Sequence, residues 1–435
     1  MARVNVRAEK VRTHEGAPAL RVNPELSLRR SVLSTLLWES EFYEDGESIA
    51  ERISALVPKV RAEKVAELAR QARLLYHLRH VPLWIIREMA RTDSHKHYVA
   101  GLLGDVIQRA DELTEFVALY WKDGKQPLSA QVKKGLAAAF TKFDEYQLAK
   151  YSRPGQVKLR DVLFLSHAKP KDEEQAALWK RLVDGELEVP DTWETSLSSG
   201  EDKRATFERL MIEKKLGGMA FLRNLRNMLQ AGVDEEMIKG YFQEPTRFNR
   251  VLPFRFIAAA RYAPQLEPEI EKAMLAALTE RDRLPGRTLL LIDVSGSMEA
   301  SLSDRSEMSR EDTAAALAVL AREICEEVRI FSFSNQLVEV PPRRGFALRD
   351  AIFSSQQHQG TYLGAAVTKL NEIGYDRLVV FTDEQSHDQV PSPKGRGYMI
   401  NVASYKNGVG YGPWTHIDGF SEAILDWMVA YEGLQ

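Results

Sequence analysis

One cysteine, Cys325, occurs in 435 residues. That excludes an intrachain disulfide and any cysteine-based zinc site. Cys325 follows the apolar spacing Ala315, Leu317, Leu320, Ile324, so it is expected on a helix as a buried, inert thiol. No apolar run approaches the length that spans a bilayer. The start, Met1-Ala2-Arg3-Val4-Asn5-Val6-Arg7, leads into polar sequence without an apolar signal core. The setting expected is soluble, reducing and cytoplasmic. Strong charge of one sign is missing too: 59 Lys and Arg against 62 Asp and Glu leave a net −3. Any nucleic-acid contact must therefore come from local clustering rather than a uniformly basic surface. Enzyme motifs are also absent, with no Walker loop, no His-Glu-x-x-His and no Gly-x-Ser-x-Gly. Ser295 follows a strand, but Val294-Ser295-Gly296 lacks the preceding glycine of a nucleophile elbow. Asp383-Glu384 resembles a hydrolytic carboxylate pair only superficially. Binding is expected here, not catalysis.

What is present falls into two parts. The length suggests two or three domains, and 44% hydrophobic residues suffice for sizeable cores. Residues 1–285 carry net +4 and residues 286–435 net −7, from 13 Lys and Arg against 20 Asp and Glu. Before 285, apolar residues recur at three- and four-residue steps, as in Val65, Leu68, Ala69, Ala72, Leu75 and Leu78. Helices are expected over 49–56, 65–79, 97–107, 110–121, 130–142, 175–183 and 203–215. Asp123-Gly124, Arg153-Pro154-Gly155, Leu216-Gly217-Gly218 and Leu284-Pro285-Gly286 punctuate them. This predicts a HEAT-like α-helical stack, although no strict repeat at a fixed period is found; a helical bundle assembly is the alternative. After 286, strands at 287–293, 328–333, 377–383 and 397–403 alternate with helices at about 309–327, 362–373 and 420–431. Leu337-Val338-Glu339-Val340 is expected as an antiparallel edge strand. The result is a doubly wound α/β domain, with Met298 to Glu311 as an exposed loop above its functional face.

Leu289-Leu290-Leu291-Ile292-Asp293 is an apolar run that ends in Asp293-x-Ser295-x-Ser297. Continuous apolar runs are central parallel strands, and open α/β sheets place ligands beyond the carboxyl ends of such strands. One carboxylate and two hydroxyls spaced two apart can face one hard cation, and Mg²⁺ takes oxygen ligands. Gly360-Thr361-Tyr362-Leu363-Gly364 adds a hydroxyl on a Gly-flanked loop, and Leu378-Val379-Val380-Phe381-Thr382-Asp383 is a second strand run ending on an acid. Asp293, Ser295, Ser297, Thr361 and Asp383, in this order, resemble the metal-ion-dependent adhesion site of von Willebrand factor A domains. The resemblance implies that the two serines and the threonine touch a divalent metal, Mg²⁺, while the carboxylates often act through water. It also implies that the metal's open position accepts a carboxylate from a partner protein.

In the helical part, Lys150, Arg153, Lys158, Arg160, His167 and Lys169 lie within twenty positions around a Pro-Gly turn. Lys and Arg supply charge for phosphates, and His167 can donate to phosphate or stack on a base. A solvated helix face with His167 capping a core turn is the plainer account of the same residues. A second group comprises Lys133, Lys134, Arg223 and Arg226, with Asn224 and Asn227. Arg223, Arg226 and Asn227 share a helix face and could line a channel for a single strand; ion pairs between stacked helices explain them equally well. His95-Lys96-His97 is a solvated or RNA-facing turn, since histidines two apart diverge on a helix.

Leu163-Phe164-Leu165-Ser166-His167-Ala168-Lys169-Pro170, Phe221-Leu222-Arg223-Asn224-Leu225 and Leu252-Pro253-Phe254 resemble, in order, elements of the TROVE module of Ro ribonucleoproteins. Lys150-Tyr151 is similar to the family's basic helix end before the histidine motif, with Arg153 one position from the family's arginine. A TROVE module followed by an A-type domain is the Ro architecture, so the resemblance covers nearly the whole chain, as 1–285 and 286–435. It implies a ring of helical repeats closed by the A-type domain. It further implies a small Y-type noncoding RNA on the outer surface and single-stranded RNA 3′ ends in the central hole. The role implied is RNA quality control or decay by a monomer, with no membrane, and with a decay nuclease or another protein at the metal site. The competing expectation is a metal-dependent interaction module, such as an A-domain partner of a remodelling ATPase, whose helical half is a docking platform.

Overall fold

The computed structural model describes residues 23–33, 46–74, 78–152, 155–248, 251, 254–278, 283–302, 308–403, 408–409, 412–418, 424–425, 428–429 and 432. The chain forms two compact units, one of Ala50–Arg247 and one of Met1–Ile49 with Phe248–Gln435. The sheet-bearing unit therefore reaches further back than residue 286. Helices Phe254–Tyr262 and Glu267–Leu278 pack on helix Arg310–Ile324, and the second also packs on Gly345–Phe353; their apolar faces are satisfied there.

In the unit Ala50–Arg247, helices from Ala62–Leu74 to Glu173–Asp184 pack on near neighbours in sequence, and so do Trp193–Ser198, Lys203–Ile212 and Gly218–Gln230. Side-chain caps set the helix starts, where the first N–H groups lack intrahelical partners. Asp144 accepts from Gln147 N at 2.8 Å, Asp172 from Gln175 N at 2.8 Å, and Asp202 from Ala205 N at 2.8 Å. Val99–Val106 lies close on Ala130–Phe140 because Gly135 has no side chain; a Cβ there would meet Leu103 at 2.8 Å. Glu112, fully buried, accepts from Arg73 at 2.7 Å and from the backbone N–H groups of Gln108 and Arg109.

Several expectations for this unit change. The helix predicted over 65–79 is Ala62–Leu74, and the next described helix is His80–Arg91. His80–Arg91 was not expected; Val81 through Ala90 are all buried in it, Arg87 and Glu88 included. Leu159–Ser166 and Trp193–Ser198 are short helices that were not expected, and Glu145–Tyr151 ends where the resemblance put a helix end, at Lys150-Tyr151. His95 is not solvated: it lies on a 3₁₀ turn, buried, with its ring nitrogens on Val60 O at 3.0 Å and Ser94 Oγ at 2.8 Å. His97 is exposed.

The other unit holds a six-stranded sheet: β1 (Leu284–Asp293), β2 (Cys325–Phe333), β3 (Leu337–Glu339), β4 (Arg377–Thr382), β5 (Arg396–Asn401) and β6 (Thr415–Asp418). The order is β3-β2-β1-β4-β5-β6, with only β3 antiparallel. β1, β2, β4, β5 and the antiparallel edge strand β3 lie where the sequence pointed, while the parallel β6 and helix Gly345–Phe353 did not show in it. Helix Arg310–Ile324 ends sooner than expected. Cys325 begins β2 opposite Leu284 instead of continuing the helix. It is buried, and burial pushes its thiol up. The region 420–431 lies largely outside the described residues, although 424, 425, 428 and 429 are helical. Leu289, Leu291, Phe331, Phe333, Leu378 and Val380 form one buried face with Leu363 and Val367 of helix Leu363–Leu370. Among the described residues no helix is long and apolar enough to cross a membrane.

Candidate metal centre and nucleic-acid surface

The strand order reverses direction between β1 and β4. Such a switch point opens a crevice beyond the carboxyl ends of the strands, the usual ligand position in open α/β sheets. β1 delivers Asp293 there and β4 delivers Thr382 followed by Asp383; all three are fully buried. Three loops converge on them, each tied to the other two. Ser297 Oγ donates to Asp383 Oδ2 at 2.7 Å, Gly296 N donates to Gln359 O at 3.0 Å, and His387 N donates to Thr361 O at 2.9 Å. Asp293 takes Ser295 N at 2.9 Å on one oxygen and Thr382 Oγ1 at 2.6 Å on the other. Ser295 Oγ lies 3.3 Å from Ser297 Oγ.

Glycines make this closure possible. A Cβ on Gly364 would stand 2.1 Å from Gln389 O, and one on Gly360 would stand 2.8 Å from Asn335 Oδ1. Asp388 accepts from Gly364 N and Ala365 N at 2.8 and 2.7 Å, which pins the helix start after Thr361.

The electrostatics are unfavourable without a cation. Burial first, and then the neighbouring Asp383, push the Asp293 carboxyl up to about 7. Arg310, itself buried, brings a guanidinium nitrogen within 3.8 Å of Asp383. Two buried carboxylates with the Ser295 and Ser297 hydroxyls beside them are hard oxygen donors of the kind Mg²⁺ takes, and Thr361, on the adjoining loop, is buried as well. Among the described residues no three His, Cys, Asp or Glu side chains gather as a metal site; here the set is two acids completed by hydroxyls.

Thr382 and Arg310 are the site residues that sequence reading missed. Thr382 could have been found as the last residue of a strand run before an acid. Arg310 had no local signal. The interval Met298 to Glu311 is not the exposed loop expected. Met298, Leu302, Met308, Arg310 and Glu311 are buried, and Ser301 bridges Ser309; residues 303–307 lie outside the described residues.

In the helical unit, Lys150 ends helix Glu145–Tyr151 with its ammonium 5.6 Å above the Tyr146 ring and 5.8 Å from that of Tyr151. The Arg109 guanidinium lies 4.7 Å over the same Tyr151 ring. Tyr146 is exposed, as is Phe164. His167 closes helix Leu159–Ser166 with φ 54°, in the left-handed region, and its side chain is exposed. The helix-cap account of His167 is thus correct for its backbone, whereas Ser166 is the residue turned inward, donating to Leu163 O at 3.2 Å. Lys169 is exposed two residues on. Arg153 lies outside the described residues.

Lys133 is half-buried and Lys134 exposed on Ala130–Phe140, which packs on Val99–Val106 and Leu159–Ser166. Arg223 and Arg226 are exposed on one face of Gly218–Gln230, which packs on Lys203–Ile212. Asn224 is no surface residue: it is buried, bonded to Ala220 O and Asn227 at 2.9 Å each.

Residues 180–323 match the family described as TROVE domain. Telomerase protein component 1 of Mus musculus is 27% identical over 228 residues, 49% of this chain and 8% of that protein. Its Rattus norvegicus counterpart is 34% identical over 89 residues, 19% of this chain and 3% of that protein. The chain thus spans only a small fraction of those relatives' length. The crystal structure of the Deinococcus radiodurans Ro (RSR) protein superposes with a TM-score of 0.63 at 17% identity, covering 93% of this chain and 99% of that one. The middle of the chain thus matches the TROVE domain family, and nearly its whole length shares the fold of the Deinococcus radiodurans Ro protein.

Proposed function

We propose that this protein is the RNA-binding component of a ribonucleoprotein. It holds a small structured noncoding RNA of the Y type on the surface of Lys150, Arg153, His167 and Lys169. Single-stranded 3′ ends pass along Lys133, Lys134, Arg223 and Arg226 in the hole of a helical ring, and the complex serves RNA quality control or decay. The observation that carries this reading is His167. A non-glycine residue in the left-handed region costs on the order of 1 kcal/mol or more. Here the strain leaves an exposed imidazole beside Lys169, on the helix that also presents Phe164 to solvent. Cations supply phosphate contacts and exposed rings supply stacking surfaces. Purification of the protein from its host tests the proposal: a discrete small RNA should co-purify, and RNA-free protein sinks it.

The second half of the proposal concerns the α/β unit. It acts as a von Willebrand-type A domain in which Ser295, Ser297 and Thr361 hold Mg²⁺, with Asp293 and Asp383 supporting through water. Its open coordination position would take a carboxylate of a partner protein such as a decay nuclease. The buried pair Asp293 and Asp383, tied to one another's loops through Ser297, supports it. A metal-dependent interaction module acting without RNA is the competing reading; the same site favours it, and the co-purification separates the two.

A further inference from the structure

Lys150 stands on the rim of a cleft of about 800 Å³ in the helical unit. Trp193, Val189, Leu182, Thr192, Glu188 and Glu194 form much of its wall. That volume lies within the ~300–1,000 Å³ of pockets that enclose small ligands. The walls are held by contacts around and within the opening. Arg181 forks onto Glu145 at 3.2 and 2.7 Å. Asp191 is gripped by Arg209 at 2.9 Å through both oxygens and by Lys215 at 2.8 Å. Thr195 donates to Pro190 O at 2.7 Å, and its N–H is capped by Thr192 at 3.2 Å. Val189 is 81% exposed at the mouth, an apolar surface left facing water.

We infer that this cleft binds an unpaired guanine base of the RNA, with Trp193 as the stacking surface, Glu188 or Glu194 reading the base edge, and Lys150 on the adjoining phosphate. The inference rests on the RNA reading above. Guanine alone among the four bases offers two adjacent donors, N1–H and the N2 amine, on its Watson–Crick edge. A carboxylate accepts both in parallel and can donate nothing in return. Adenine, cytosine and uracil each set a ring or carbonyl acceptor against that carboxylate. Stacking on an indole accepts any base, so Trp193 supplies affinity and the acids supply choice.

The test uses the full chain and four RNA hairpins that differ only in one bulged nucleotide, G, A, C or U, measured by filter binding. The G bulge should bind about tenfold more tightly than the others. Trp193→Ala should weaken all four, and Trp193→Phe should restore them, which a merely structural role of the indole would not produce at unchanged melting temperature. E188Q combined with E194Q should level the four affinities. If all four hairpins bind alike, or if the G preference survives both sets of variants, the base pocket is wrong while the RNA reading stands. If no hairpin binds, both fall.

Discussion

Ser297 donates its hydroxyl to Asp383 Oδ2 at 2.7 Å, bridging 86 positions of sequence. That bond joins the loop after β1 to the loop after β4 across the point where the sheet changes direction. The two acids that end these strands are consequently neighbours in a buried site, and whatever binds one is felt by the other.

Replacing Asp293 or Asp383 with Ala should abolish Mg²⁺ binding and leave RNA affinity within about twofold. The remaining hydroxyls are too weakly anionic to strip water from Mg²⁺, and the RNA candidates lie on other elements. Magnesium calorimetry beside an RNA titration of the same variant checks both. A collapse of RNA affinity at constant melting temperature would place the metal in the RNA interface.

Lys150→Ala with His167→Ala should weaken binding of a structured RNA and flatten the slope of log K against log salt by about one unit per lost phosphate contact. Circular dichroism should be unchanged, because His167 is exposed and Lys150 only half-buried. An unaltered affinity and slope would remove this surface from the interface.

If the proposed ring forms, a structured RNA with a single-stranded 3′ tail should bind better than its blunt form, because an unpaired strand can enter a hole too narrow for a duplex and stack as it goes. Replacing Lys133, Lys134, Arg223 and Arg226 with Ala should erase the difference. Equal binding of tailed and blunt RNA by the unaltered protein would argue for an open helical stack.

Glu432→Ala should cost about 3–5 kcal/mol, as expected when one member of a buried pair is removed, and chemical denaturation measures it. Glu432 binds Arg377, Arg396 at 2.6 Å and the Tyr398 hydroxyl at 2.8 Å. Burial pushes its carboxyl up, but Arg377, Tyr398 and Arg396 together hold it below the usual glutamate value of 4.5. A depressed carboxylate contributes stability that is present above that value and is lost as pH falls through the folded one. The wild-type chain should therefore lose stability in acid below about pH 4.5, and Glu432→Ala should lose less of it.

The sequence by itself determined where Asp293, Ser295, Ser297, Thr361 and Asp383 sit on their elements. Each is marked locally, by an apolar run that stops or a glycine that opens a helix, and local signals need no tertiary partner to be read. For the same reason β1, β2, β4 and β5 were legible, as were the helices with a polar face. Only the tertiary structure decided what surrounds them. Arg87 and Glu88 of His80–Arg91 went inward, where they pair with each other. His95 went inward because Val60 O lay within reach of its ring, and Cys325 left the helical pattern to pair with Leu284 in the sheet. Arg310 and Thr382 joined the acids through packing of segments tens of residues apart. Burial and long-range pairing are set by which surfaces meet, and a linear pattern records only the surface each segment offers.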